Sequence, residues 1–85
     1  MTDWYMLTLI GADRAGIVAA VTRALFDRAM SLGETSMMRL GGNFTVMMMV
    51  SGAASAAAVA DAVRPVAEPL GLRAHVDPIA GGLHQ

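Results

Sequence analysis

Asp13 and Arg14 stand between two glycines in the segment Gly11-Ala12-Asp13-Arg14-Ala15-Gly16. No other stretch of the chain is as well suited to chemistry. An apolar, strand-like run precedes it (Tyr5-Met6-Leu7-Thr8-Leu9-Ile10), and a helix-like run begins near Gly16. A strand that turns through glycines into a helix leaves backbone N–H groups free at the helix start, and these suit a small anion. An amino-acid zwitterion would be served at both ends. Its carboxylate would meet the N–H groups and the positive end of the helix dipole, and its ammonium would meet the Asp13 carboxylate. Gly16, without a Cβ, lets a ligand come close to the backbone. The same residues have a purely structural reading: Asp13 caps the helix, a position Asp favours, and Gly16 fits a tight turn. Arg14 either grips a second carboxylate bidentately or remains a solvated loop arginine.

Other chemistries fit less well. The spacing from Gly11 to Gly16 is that of a phosphate loop, but Ile17-Val18 occupies the place where such a loop needs Lys and then Ser or Thr. Only two histidines are present, His75 and His84, and a metal site built on them would have to borrow its other ligands. Neither a metal nor a cofactor is expected. The absence of cysteine excludes disulfides, thiolate metal sites and thiol catalysis. No nucleophile sits beside an evident base and no carboxylate pair stands out, so the chain reads as non-enzymatic.

Eighty-five residues predict one domain over 1–85, with an ordered core over about 4–78 and a mobile tail over 79–85. Hydrophobic residues make up 55% of the chain and charged residues 15%, which excludes disorder and leaves little charge to coat a surface. Some apolar surface is therefore expected to be covered by another subunit, and eight methionines point the same way. Net charge is −1, and the six basic residues are all scattered arginines, so direct nucleic-acid binding is not expected. No apolar stretch approaches the ~20 residues of a membrane span, and no signal-type start is present. A cytoplasmic protein without membrane contact is expected.

The segments that position the loop follow from periodicity. A strand over about Trp4–Ile10 leads to a helix over about Ala15–Met30, with Ile17, Val18, Val21 and Leu25 inward. Gly33 is expected in the turn to a second strand, about Glu34–Leu40. Gly41-Gly42-Asn43 forms a hairpin to a third strand, Phe44–Val50, apolar on both faces as a buried central strand is. An alanine-rich helix from about Ala54 should kink or stop near Arg64, because Pro65 removes a hydrogen bond. A last strand, about Leu72–Asp77, is cut by Pro78. The order is βαββαβ, an α+β ferredoxin-like fold: a four-stranded antiparallel sheet with two helices on one face. If Leu7, Leu9, Val46 and Met48 face the helices, Met6, Ile10, Met37, Met47 and Met49 fall on the open face. Such a patch is expected to pack against a partner.

The Gly11–Val18 loop, the hairpin Arg39-Leu40-Gly41-Gly42-Asn43-Phe44-Thr45 and the run Val46–Val50 resemble an ACT domain, over about Tyr5–Asp77. More narrowly, the chain resembles the glycine-cleavage-repressor-like branch and the short stand-alone ACT proteins. The resemblance implies a regulatory module that binds an amino acid or similar metabolite where two domains meet side by side. It implies a ligand held by Asp13, Arg14, Ala15 and Gly16 of one subunit and by Ser31, Leu32 and Gly33 of its neighbour. Many relatives carry Asn-Ile where this chain has Ser31-Leu32, and serine is the shorter hydrogen-bonding group. A homo-oligomer, and a regulated protein partner, would follow.

Overall fold

The computed structural model describes residues 3–12 and 15–79. Its elements are β1 (Trp4–Ala12), α1 (Ile17–Asp27), β2 (Ser31–Leu40), β3 (Asn43–Ser51), α2 (Ala56–Ala67) and β4 (Arg73–Ile79). The sheet runs β2-β3-β1-β4 and every adjacent pair is antiparallel. The ferredoxin-like βαββαβ expectation holds, with β1 and β3 central and β2 and β4 at the edges.

Alternation places the core. Leu7 pairs with Met48 and Leu9 with Val46, and residues opposite one another in a ladder point to the same side. With Tyr5, Phe44 and Val50 they join Ile17, Val21 and Leu25 of α1 and Val59, Ala62, Val63 and Ala67 of α2 in one buried cluster. The hairpin turn is also as expected: Gly41 and Gly42 both have positive φ, 57° and 79°, the requirement of a type I′ turn.

Helix α1 is shorter at both ends than the periodicity predicts, and β2 begins earlier. The helix closes on Ala29, a left-handed alanine with φ 61°. Ala29 N–H donates to the Phe26 carbonyl and Met30 N–H to the Leu25 carbonyl, the Schellman arrangement usually closed by glycine. The turn is therefore complete before Ser31, and Gly33 lies inside β2 rather than in the turn. A side chain at Gly33 would meet the Trp4 ring at 2.8 Å and the Met49 Cβ at 3.1 Å. Glycine there lets the indole lie across the open face of the sheet, beside a register shift between Leu32 and Thr35.

Neither proline ends its element. α2 continues through Pro65 to Ala67; Asp61, whose carbonyl loses its donor, and Pro65 are both exposed, so that carbonyl is not forced into a dry interior. β4 likewise includes Pro78, opposite Tyr5, and extends to Ile79; an edge strand tolerates a missing N–H. Residues 80–85 of the expected tail lie outside the described residues. Pro65→Ala should raise stability by about 1–2 kcal/mol, since helix propensity gains more than the unfolded chain's added freedom offsets. Thermal melting checks this, and an unchanged or lower midpoint refutes it. Among the described residues no helix is long and apolar enough to cross a membrane.

Candidate functional site

Gly16 is the N-cap of α1, in the left-handed conformation with φ 81° and ψ 1°. No described side chain caps this end, and the first turn carries no acidic residue. The first backbone bond of the helix runs from Ala20 N–H to the Gly16 carbonyl, 3.0 Å. The N–H groups before it have no acceptor within the helix and carry its positive partial charge. They border a cleft of about 570 Å³ lined by Ala15, Gly16, Ile17, Val18, Ala19, Met37, Arg39 and Phe44. One wall is the start of α1; the other is the outer half of β2. Phe44 is buried at 2% exposure and forms an apolar floor. The cleft thus sets a helix N-terminus and a guanidinium over apolar surface, an arrangement suited to a small carboxylate with an apolar part.

Of the expected ligand residues, Ala15 and Gly16 line this cleft, while Asp13 and Arg14 lie outside the described residues. Ser31, Leu32 and Gly33 are at the far end of β2, where Ser31 pairs with Ser51. The cleft end of the strand is Leu40, opposite Asn43, which also faces Ala12. Eight residues of extended chain separate Ser31 from Arg39, about 26 Å. A single copy does not bring the two halves together.

The open-face expectation needs two corrections. Met37 pairs with Val46, so it points to the helix side and into the cleft. Met49 does lie on the open face, opposite Met6, but at 8% exposure it is covered where Trp4 passes over Gly33. Ile10 and Met47 are on that face and exposed, at 46% and 42%, and Met6 is half-buried. Met38 and Leu40, at 62% and 70%, belong to it as well and were not anticipated. Arg39 and Phe44 were not anticipated in the cleft either. The hairpin carried the signal: a two-residue turn at Gly41-Gly42 pairs Arg39 with Phe44 and Met37 with Val46, which sets all four on the core side.

Residues 5–77 match the ACT domain family model. The chain is 30% identical over 63 residues to the glycine cleavage system transcriptional repressor of Escherichia coli (strain K12), covering 74% of this chain and 33% of the repressor. It therefore spans about a third of the length of that relative. The fold superposes on an ACT domain protein from Streptococcus pneumoniae with a TM-score of 0.77 at 20% identity, covering 89% of each chain. It also superposes on the regulatory subunit of aspartate kinase from Thermus thermophilus (ligand-free form), with a TM-score of 0.76 at 25% identity, covering 91% of this chain and 53% of that one. With the βαββαβ topology and the family match over nearly its whole length, the chain belongs to the ACT domain family of regulatory modules.

Proposed function

We propose that this domain is a non-catalytic regulatory module that binds an amino acid or similar small metabolite where two copies pair along β2. The observation that carries this reading is the cleft at the start of α1, which opens beside an edge strand. β2 is ten residues long, contains no proline and has its outer side unpaired within the sheet. Two such strands pairing antiparallel about a two-fold axis exchange their ends. Pairing centred near Thr35 brings the Ser31–Gly33 segment of one copy alongside Arg39 of the other. The cleft of each copy then gains Ser31, Leu32 and Gly33 from its neighbour. The ligand's carboxylate sits on the α1 N-terminus and Arg39, and Asp13 takes its ammonium. A cytoplasmic setting goes with this reading.

Isothermal titration with each of the twenty amino acids should show saturable binding of at least one. Asp13→Ala and Arg39→Met should each weaken it by about tenfold or more, the usual value of one charge-assisted hydrogen bond. Failure of the whole panel against folded dimer refutes ligand binding, and a monomer by light scattering at micromolar concentration refutes the pairing.

A second reading rests on the exposed apolar side chains of the open face, Ile10, Met38, Leu40 and Met47. On this reading the domain regulates a protein partner through that face without any ligand. Met38→Asp or Met47→Asp would then abolish a stable association that survives Asp13→Ala.

A further inference from the structure

We infer that Phe26 works in trans, closing the cleft of the second copy rather than its own. This deepens the proposed pairing along β2 and rests on it. Phe26 is 74% exposed, the highest value among the large apolar side chains described. The helix geometry identifies the surface that a second copy paired along β2 brings to this ring.

Residues four apart share one flank of a helix, so Val18, Thr22 and Phe26 form a row along α1. Val18 lines the cleft together with Met37, which shows that this flank faces β2. The row runs from the cleft at Val18 to Phe26 over eight residues of helix, about 12 Å. Its Phe26 end is the end from which the chain turns into Ser31 and β2. Helix row and strand therefore run in opposite directions, with the cleft at one end and Phe26 at the other.

A two-fold axis at the β2 edge exchanges these ends in both layers at once. In the sheet it brings the Ser31–Gly33 segment beside Arg39; in the helix layer it sets Phe26 against Val18. Phe26 of each copy then lies above the gap between Val18 and Met37 of the other, on the side where the cleft is open in a single copy. The same operation buries the exposed ring and completes an apolar wall begun by Ile17, Met37 and Phe44. Phe26 is thus a positioning and specificity residue for the neighbour's site.

The chain contains no cysteine, so introduced cysteines report this contact cleanly. A tagged Val18→Cys chain is mixed with an untagged Phe26→Cys chain, allowed to exchange, and oxidised mildly. Ala19→Cys, at an exposed position of the same cleft, replaces Val18→Cys if the latter folds poorly by circular dichroism. Disulfides require Cα atoms within about 7 Å, so positions 18 and 26 of one helix cannot bridge. The expected result is a covalent species of twice the chain mass that contains both tagged and untagged chains. Each variant oxidised alone should give little of it. Sedimentation of the unaltered protein reads the pairing separately. A dimer without the crossed disulfide overturns the role of Phe26 and leaves the β2 pairing standing. A monomer removes both.

Discussion

Leu9→Ala is expected to lower the folding free energy by about 3 kcal/mol, the largest stability effect anticipated for a single truncation in this chain. Leu9 is fully buried in central strand β1, with Val46 beside it on β3 and Ala74 on β4. Its side chain is enclosed by sheet neighbours and by both helices, so the surroundings have little room to collapse into the space left behind. A domain of this length has roughly 4–13 kcal/mol of stability in all. The substitution therefore removes a large share of it. In urea the unfolding midpoint should fall by about 2 M with the slope unchanged. Met38→Ala, on the exposed part of the open face, should stay within about 0.5 kcal/mol of the parent. A shift below about 1 kcal/mol for Leu9→Ala would mean that the core is not where the β1–β3 register puts it.

Gly16→Val should cost about 2 kcal/mol and weaken amino-acid binding by about tenfold or more. No described atom lies within 4 Å of a Cβ added at Gly16, so crowding is not the source of the cost. It comes from φ 81°, a conformation that side-chain-bearing residues resist and β-branched residues resist most. The substitution series is the test. Asn tolerates the left-handed region better than Ala, and Ala better than Val, so destabilisation should rise in the order Asn, Ala, Val. Relief of the strain would rotate the first turn of α1 and re-aim the N–H groups that border the cleft, which is why binding should fall with stability. A Gly16→Val protein that melts with the parent and binds like it would show that the left-handed cap is dispensable.

Much of the fold is legible in the residues because hydrophobic burial is periodic. Leu7 and Leu9 on β1, and Val46 and Met48 on β3, reveal their inward face by alternation alone, and strands apolar on both sides announce that they are central. The errors arise where backbone geometry overrides residue type. Ala29 adopts a conformation normally left to glycine, so the end of α1 carried no glycine signal and the turn was sought at Gly33. Pro65 and Pro78 look like breaks, yet each sits where its missing N–H costs little. Met37 lies on the helix side because the Gly41-Gly42 turn sets the register of β2 and pairs it with Val46. The same register places Arg39 beside Phe44 and in the cleft. The cleft and Ser31–Gly33 lie at opposite ends of β2, so spacing within one chain does not link them and only the family resemblance does.

The two edges of the sheet are chemically unequal, and this limits what the domain can build. β4 carries Pro78, with Arg73, His75 and Asp77 along its length, and His75 and Asp77 are paired at 3.2 Å. Proline and charge are the devices by which proteins blunt an edge against strand addition. β2 has no proline. If two copies pair along β2 as proposed, that addition uses the β2 edge of both and leaves the proline-bearing β4 at each outer margin. Under that pairing, growth by strand addition stops at a closed pair instead of running on as open-ended stacking.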